Sequence, residues 1–333
     1  MRRLFAALLI FLVLGPAPIR TFRYPTDNFV QQASAQPLDV SPATAGALRY
    51  VRGWHLTSPH SRFGGFSGIA RRGVGGILLI GDNGYATRLA IGSEGQPELI
   101  GIAPLPVPKG WPDRKSMVDA ESVAVDADAD KIWVGLERTN QLWRFDGALR
   151  CLEARYAPAA MRDWPKGRGA EAMVRLTDGR FVVIAEGGRR DARANRALLF
   201  AGDPGVETPP PTRFYYDSEG KGSVSDAAPL PDGRILLVHR DVGWFPVFTT
   251  TIAIADPADI RPGTVLRSRT IGVVPRALAD NFEGAAIEAV DGRTYLWLVS
   301  DDNFQSWQRN LLLQFELVDL PPRGAPDSKK AAR

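Results

Sequence analysis

A unit of about 50 residues that recurs five times is the feature that most constrains the fold of this chain. Each unit opens with a short strand pattern that carries a small polar or acidic residue near its start, as in FSGIA (66–70) and AESVAV (120–125). Successive members of this position are 54, 50, 55 and 57 residues apart when the aligned set is Ser67, Glu121, Glu171, Asp226 and Glu283. A period this regular is typical of repeat architectures.

Further strand patterns follow inside every unit. An apolar second strand comes after a turn, at Ile77–Gly81, Ile132–Leu136, Phe181–Ala185, Ile235–His239 and Leu296–Ser300. Three of these turns contain an Asp-Gly pair, which favours hairpins. A third strand and an outer fourth strand complete the unit, the outer one of unit four being predicted at Val265–Val273. Four-stranded units at this period predict an all-β fold, a β-propeller.

The fifth unit ends after its third strand, near Leu317. The segment Leu48–Leu56 precedes the first unit and has the pattern to supply the missing outer strand. Such a closure removes an open sheet edge, which otherwise exposes a row of backbone donors and acceptors. We therefore expect five four-stranded blades closed by an N-terminal strand; six blades, with a degenerate one in Ile19–Ser61, is the alternative.

The N-terminus has the pattern of an export signal. Two arginines precede the apolar run Leu4–Leu14, which has the length of a signal-peptide core and is short for a membrane span. Ala33-Ser34-Ala35 offers a cleavage pattern, although it lies far from the run, so a retained membrane anchor is the alternative. We expect a signal or anchor at 1–35, one propeller domain at 36–320 and a disordered tail at 321–333. The protein is then periplasmic or secreted, or anchored to the inner membrane and facing the periplasm.

Composition excludes several classes. The chain has 41 basic and 37 acidic residues and no Lys/Arg-rich helix or aromatic-basic motif, which argues against nucleic-acid binding. Its single cysteine, Cys151, excludes an intramolecular disulfide, so an exported fold must be held by core packing or by a metal. The sequence does not indicate an oligomeric state.

First strands of propeller blades line the central channel, so the five aligned residues converge there. Four carboxylates in one channel raise each other's pKa unless a cation neutralises them. Calcium suits carboxylate and hydroxyl oxygens, whereas three histidines and one cysteine argue against zinc or copper. The metal ligands predicted are Ser67, Glu121, Glu171, Asp226 and Glu283. The alternative is a hydrated polar channel, or acids that accept hydrogen bonds from backbone amides.

A second acidic ring is predicted where the second strands end, formed by Asp82, Glu137, Glu186, Asp241 and Asp301. The loops that follow carry arginines, which are Arg138, Arg189, Arg190, Arg193 and Arg240. Arginine forks bind phosphate oxygens and a metal ion activates water, so this mixture favours a small phosphorylated substrate. Ordinary turn-capping acids and solvated arginines are the other interpretation.

Other catalytic arrangements lack support in the sequence. No G-x-S-x-G elbow is present, and a serine esterase built on Ser67 would need His55, His60 or His239 from another part of the chain. Phosphate-cradling and dinucleotide-binding glycine motifs are also absent. Three aromatic residues in loops are candidates for stacking on a ligand: Trp164, Trp244 and Phe245.

Five short segments resemble the bacterial phytase-like propeller family, described as having esterase-like activity of phytase. They are GFSG (65–68), DAES (119–122), GAEA (169–172), NFEGA (281–285) and SDDNF (300–304). The resemblance covers about 49–317 and implies an exported propeller in the periplasm of a Gram-negative bacterium.

The function expected is a calcium-dependent, phytase-like or esterase-like hydrolase that cleaves a phosphate ester. The catalytic residues predicted are Glu171, Glu283, Arg138 and Arg189. A non-catalytic binding protein of the cell envelope, with a structural calcium ion in the channel, is the alternative.

Overall fold

The computed structural model describes residues 27–41, 43–111, 118–186, 194–205, 209–218 and 220–324. The expected signal core Leu4–Leu14 and the tail beyond residue 324 lie outside the described residues. Within them the regular structure consists of 23 strands and three short 3₁₀ turns, at Ala159–Met161, Pro257–Asp259 and Arg276–Leu278. This confirms the all-β class. None of the helices in this part of the chain has the length and apolar character needed to cross a membrane.

The strands form five sheets arranged as blades. The N-terminal strands are β1 (Ser34–Pro37), β2 (Thr44–Ala45) and β3 (Leu48–Thr57). Blade one contains β4 (Phe66–Arg72), β5 (Gly76–Gly81), β6 (Tyr85–Ile91) and β7 (Pro97–Pro104). Blade two contains β8 (Ala120–Asp126), β9 (Lys131–Leu136), β10 (Gln141–Asp146) and β11 (Leu152–Tyr156). Blade three begins with β12 (Ala170–Arg175), β13 (Phe181–Ala185), β14 (Asn195–Phe200) and β15 (Thr212–Asp217).

Blade four contains β16 (Ser223–Pro229), β17 (Ile235–Val242) and β18 (Phe248–Ala255), followed in the chain by β19 (Val265–Arg267) and β20 (Arg269–Val273). Blade five contains β21 (Phe282–Val290), β22 (Arg293–Ser300) and β23 (Asn310–Leu317). The innermost strand of each blade contacts the innermost strands of both neighbours, and β21 contacts β4. The five blades therefore form a closed ring, as the repeat predicts.

The ring closes through its last blade. Strand β3 pairs antiparallel with β23, Gly53 lying opposite Leu313, so that residues from both ends of the domain share one sheet. This confirms the N-terminal strand as the outer strand of blade five and five as the number of blades in the described chain. Strand β1 extends the same sheet by pairing with β3, Ala35 lying opposite Leu56. It therefore spans the expected domain boundary at residue 36, and cleavage of a signal peptide remains a prediction.

The outer strand predicted at Val265–Val273 is two strands in the structure. Strand β20 is the outer strand of blade four, whereas β19 pairs in parallel with β15 at the edge of blade three. Leu266 of β19 is buried in the core between these two blades, and Ser268 hydrogen-bonds Tyr216 of β15 with an oxygen separation of 2.5 Å. One segment serves two blades because burying Leu266 stabilises that seam.

Apolar residues of the middle strands fill the gaps between blades. All five residues of β13 are buried, as expected for a strand that is covered on both faces. The seam between blades five and one contains a stacked pair, Trp54 and Trp297, with ring centroids 6.3 Å apart. Close approach near the axis requires small residues: a Cβ on Gly284 would lie 2.7 Å from Val299 Cγ1. These seams hold the inner strands in fixed positions around the channel.

Candidate functional site

Every inner strand carries a β-bulge at the same point. In each blade one residue near the start of the inner strand has no partner on the second strand, which the pairing registers show. The unpaired residues are Ser67, Glu121, Glu171, Ser225 and Glu283. A bulge turns a side chain away from the alternating direction of the strand. Five equivalent bulges therefore give the channel a ring of re-aimed side chains.

The predicted ring is corrected in blade four, where Ser225 takes the place assigned to Asp226. Val224 pairs with His239 and Asp226 with Val238, which leaves Ser225 as the unpaired residue. The carboxylate of Asp226 instead accepts hydrogen bonds from the backbone amides of Ala227 (2.8 Å) and Ala285 (2.7 Å). It thereby ties blade four to blade five.

The second ring needs the same correction. In each blade the residue just before the bulge pairs with a residue of the second strand, and the second-ring position is the residue that follows this partner. In blades one to five these residues are Asp82, Glu137, Glu186, Arg240 and Asp301. Arg240 therefore occupies the position predicted for Asp241, which is exposed. In blade five the amide of Asp301 donates to Asn281 O (2.9 Å), and blades one and two repeat this bond. Four carboxylates and one guanidinium form the ring.

Three carboxylates of blade two lie close enough to share one ion. Asp119, Glu121 and Glu137 each offer an oxygen within 4.8 Å of the others. Burial, together with the carboxylates of Glu171 and Asp82, raises the pKa of Glu121 well above its usual value. Burial and the neighbouring Asp119 raise the pKa of Glu137 to about 7. These shifts mean that the cluster carries more negative charge than its surroundings stabilise.

Glu171 belongs to the same electrostatic group. It is buried, and burial together with Glu186 and Glu137 raises its pKa well above the usual value, while Arg240 opposes the rise. Glu121 and Glu171 are the bulged residues of the neighbouring inner strands β8 and β12, which contact each other, and the carboxylate of Glu171 contributes to the raised pKa of Glu121. The structure therefore brings together two of the three glutamates predicted for the ring and the second-ring acids beside them.

The third glutamate already has a cation. Arg240 donates to the carboxylate of Glu283 and, over 2.9 Å, to the side-chain oxygen of Asn281. Asn281 donates in turn to Glu283 over 2.8 Å, and Glu186 lies 3.8 Å from Arg240. Glu283 is thus neutralised within the protein. In the part of the chain that the structure describes, the blade-two cluster forms an ion pair between Arg138 Nε and Asp119, at 3.2 Å.

A basic cavity of about 740 Å³ adjoins the cluster. It is lined by residues of blade two and of the connection from β11 to β12, which include Arg138, Arg162 and Lys166. Two polar oxygens at its wall, Thr139 Oγ1 and Asn140 Oδ1, are buried without a hydrogen-bond partner among the described residues. A ligand oxygen could accept a hydrogen bond from the Thr139 hydroxyl, and a ligand N–H or O–H could donate to Asn140 Oδ1. Of the predicted catalytic arginines, Arg138 lies at this cavity, and Arg189 lies outside the described residues.

The remaining candidates do not form a second catalytic group. Ser67 is buried, and its hydroxyl approaches Gly65 O at 3.4 Å. His239 is buried against Tyr216 and Thr251, and no hydrogen bond in the described chain joins a histidine to Ser67. Trp164 is buried in a core cluster and is not available for stacking. Trp244 and Phe245 are exposed on the hairpin between β17 and β18.

Sequence reasoning missed Ser225, Asp119 and the role of Arg240. A signal for the first was present: an apolar residue precedes the bulged residue in every blade, and Val224 fills that place before Ser225. Correcting that one-residue shift also moves the second ring from Asp241 to Arg240. Asp119 lies just before β8, two residues before Glu121, where the other blades have Gly65, Gly169, Ser223 and Asn281, so the aligned acidic positions did not include it.

The ring topology and the acidic centre define a five-bladed propeller with a carboxylate-rich channel mouth. A family model described as Phytase-like, esterase-like activity of phytase, matches residues 61–304. The chain belongs to this family.

Comparison with other proteins adds little detail. No curated protein sequence matches the chain. Among solved structures, hydrazine synthase of Kuenenia stuttgartiensis is similar at 14% identity and a TM-score of 0.40, over 73% of this chain and 58% of that one. This chain therefore spans little more than half of that protein.

Two further structures are similar to the chain. A nidogen/laminin complex matches at 10% identity and a TM-score of 0.44, over 84% of this chain and 96% of that one. The Dos1 propeller matches at 11% identity and a TM-score of 0.39, over 81% of this chain and 76% of that one. Similarity this distant carries no functional information, and the fold assignment rests on the sheet topology of the chain itself.

Proposed function

We propose that the protein is a calcium-dependent hydrolase of phosphate esters. The observation that carries the proposal is the contact between two unlike sites: a cluster of three carboxylates and a basic cavity, joined by the pair Arg138 and Asp119. Phosphate ester hydrolysis requires both a hard cation and donors for the phosphate oxygens. Membership of the phytase-like family supports the same chemistry.

The carboxylate cluster fits a hard cation. Calcium binds oxygens at about 2.3–2.6 Å, so two oxygens on one ion lie no more than about 5 Å apart. Asp119, Glu121 and Glu137 meet this limit with oxygens within 4.8 Å of one another. The raised pKa values of Glu121 and Glu137 are the response expected of a carboxylate site that lacks its positive charge.

The predicted ligand set is accordingly centred on blade two. Glu171 raises the pKa of Glu121, and Glu137 raises the pKa of Glu171. The role of Glu171 as a ligand stays a prediction, because the proposed chemistry uses its protonated form. Ser67, Asp226 and Glu283 remain predictions as ligands, although the carboxylates of the last two already have hydrogen-bond partners. A bound calcium ion would neutralise the cluster and polarise the phosphoryl group.

The chain's own residues supply the rest of the chemistry. Arg138, Arg162 and Lys166 line the cavity and would bind the phosphate oxygens, which accept charge-assisted hydrogen bonds. Glu137 would hold the ion together with Asp119 and Glu121, and the ion would supply an activated water as the nucleophile. Glu171 would hold a proton for the leaving group, because burial favours its protonated form. Glu283 would position Arg240 at the channel mouth.

The substrate class is tested by hydrolysis of four compounds by the purified protein: 4-nitrophenyl phosphate, 4-nitrophenyl acetate, a nucleotide and phytate. We expect phosphate release that requires calcium and falls at least about 100-fold in Arg138→Met, because one phosphate donor and the partner of Asp119 are lost. Arg196→Met, at an exposed pair with Asp163, is the matched control and should keep full activity. Hydrolysis of the acetate alone, unaffected by chelator, would contradict the proposal.

A non-catalytic binding protein with a structural calcium ion is the second candidate. It is favoured by one observation: Arg240 already neutralises Glu283 and approaches Glu186, so part of the ring needs no substrate or ion. That function predicts a large rise in melting temperature with calcium and no hydrolysis of any ester. Export to the periplasm or secretion, or anchoring to the inner membrane, is part of both proposals and is testable by fractionating cells.

A further inference from the structure

A cleft between blades four and five contains aromatic and basic side chains that the proposed hydrolysis does not use. It has a volume of about 380 Å³ and lies between the β17–β18 hairpin and the loop from β22 to β23. The side chains that give it its chemistry are Phe245, Phe248, Trp307, Arg276, Arg309 and Asp280. Both connections follow second strands, as the acidic ring does, so the cleft opens on the same face of the propeller.

The aromatic side of the cleft is arranged for stacking. The rings of Phe248 and Trp307 are parallel to within 2°, with centroids 6.0 Å apart. Trp307 is nevertheless 62% exposed, and Phe245 is 83% exposed. Large aromatic side chains gain several kcal/mol from burial, so flat faces left in a cleft are available to a ligand.

The basic side of the cleft carries an unmatched positive charge. Arg276 is exposed, lies over the ring of Phe245 with its guanidinium carbon 3.8 Å from the ring centroid, and forms no ion pair in the described chain. A guanidinium stacked in this way keeps its N–H groups free at the edge. The other arginine, Arg309, donates to the buried Asp280 over 2.9 Å. The two arginines and one carboxylate give the lining a net positive charge.

The cleft leads toward the acidic centre. Asp280 lies at its inner wall, and the next residue, Asn281, hydrogen-bonds both Glu283 and Arg240. A ligand held by the aromatic walls would therefore lie beside the channel mouth.

We propose that this cleft binds an aromatic anion, a flat ring that carries a phosphate, phosphonate or carboxylate group. The ring stacks on the exposed face of Trp307, whose other face packs on Phe248, and the anionic group accepts hydrogen bonds from Arg276. If the protein hydrolyses phosphate esters, the cleft holds the aromatic part of the substrate, and only this link rests on the proposed function. Binding itself requires neither calcium nor hydrolysis.

The test uses non-hydrolysable probes that separate the ring from the charge. Calorimetry compares phenylphosphonate with methylphosphonate, which lacks the ring, and with benzyl alcohol, which lacks the charge. We expect phenylphosphonate to bind at least about tenfold more tightly than either, since stacking on an aromatic side chain contributes this order of affinity. Trp307→Ala should reduce the preference over methylphosphonate to less than about twofold. Arg276→Gln should reduce the preference for phenylphosphonate over benzyl alcohol to less than about twofold.

Trp244→Ala is the matched control. Trp244 is 97% exposed on the same hairpin but does not line the cleft, so this variant should bind all three probes as the wild type does. Equal affinity for the three probes in the wild type, or a ring preference that persists in Trp307→Ala, overturns the proposal. A preference that depends on Trp307 in a protein that hydrolyses no ester sustains the cleft and removes the hydrolase. Ester hydrolysis by a protein that binds phenylphosphonate no more tightly than methylphosphonate removes the cleft proposal and sustains the hydrolase.

Discussion

The guanidinium of Arg240 donates to the carboxylate of Glu283 across the boundary between blades four and five. Arg240 stands where the other four blades place an acid, and Glu283 is the bulged residue of its own blade. The pair divides the channel mouth into two parts. One part is neutralised by the protein, and the other, around Glu121 and Glu137, has an excess of carboxylates.

Removing Arg240 should destabilise the fold. Both side chains are largely buried, at 19% and 10% exposure, and a buried charge left without its partner costs about 3–5 kcal/mol. We expect Arg240→Met to lower the free energy of unfolding by that amount, measured by urea denaturation. Adding Glu283→Gln should recover part of the loss, because the unpaired charge is removed. Arg267→Met, at a pair whose arginine is 74% exposed, is the control and should change stability by less than about 1 kcal/mol.

Stability without calcium should fall as pH rises through neutrality. The pKa of Glu137 is raised from 4.5 to about 7 in the folded protein, and burial raises that of Glu121 well above 4.5. Between pH 4.5 and about 7 the folded state then binds more protons than the unfolded state, so the free energy of unfolding decreases with pH. Melting temperatures in chelator at pH 5 and pH 8 measure this.

Calcium should oppose that decrease. An ion that binds ionised carboxylates competes with their protons, so its stabilising effect grows with pH. We expect the melting temperatures with and without calcium to differ more at pH 8 than at pH 5. His239 acts in the opposite direction, so the comparison is made with Glu121→Gln plus Glu137→Gln in chelator. If the change in stability between pH 5 and pH 8 is the same in that double variant and the wild type, the account of the acidic centre is contradicted.

The carboxylates of Asp226 and of blade two should respond differently to substitution. Glu121→Gln with Glu137→Gln should weaken calcium binding at least about tenfold, because two anionic ligands are lost. Asp226→Asn should leave the calcium dissociation constant within about twofold and lower stability by about 1–3 kcal/mol, since its oxygens accept two backbone hydrogen bonds. Calorimetry and urea denaturation give the two quantities. An equally large loss of affinity in Asp226→Asn restores Asp226 to the ligand set.

The fold followed from the sequence because the repeat, the turns and the missing outer strand all indicate the same architecture. The site followed only in part. The alignment of acidic residues placed Asp226 where the pairing register places Ser225. A bulge shifts the register by one residue, and the alignment, which matched acidic residues, chose the acid next to the bulged serine. The grouping of Asp119 with Glu121 and Glu137 arises because blade two has an acid two residues before its bulge, where the other blades have glycine, serine or asparagine.

His239 should make stability fall in acid. It is fully buried and hydrogen-bonded to Tyr216, and burial lowers its pKa from 6.5 to about 3. Below pH 6.5 the unfolded chain takes up a proton that the folded protein refuses, so the free energy of unfolding decreases as pH falls. Between pH 7.5 and pH 4.5 the stability advantage of the wild type over His239→Gln should shrink by about 2–3 kcal/mol. An advantage that is constant with pH contradicts this assignment.

The central claim is tested most directly by the initial rate of 4-nitrophenyl phosphate hydrolysis at graded concentrations of free calcium. The account predicts a rate that rises to saturation with calcium, disappears in chelator and returns when calcium is restored. In Glu121→Gln the half-activating concentration should be at least about tenfold higher. A rate that is independent of calcium, or the same calcium dependence in Glu121→Gln and the wild type, would contradict it.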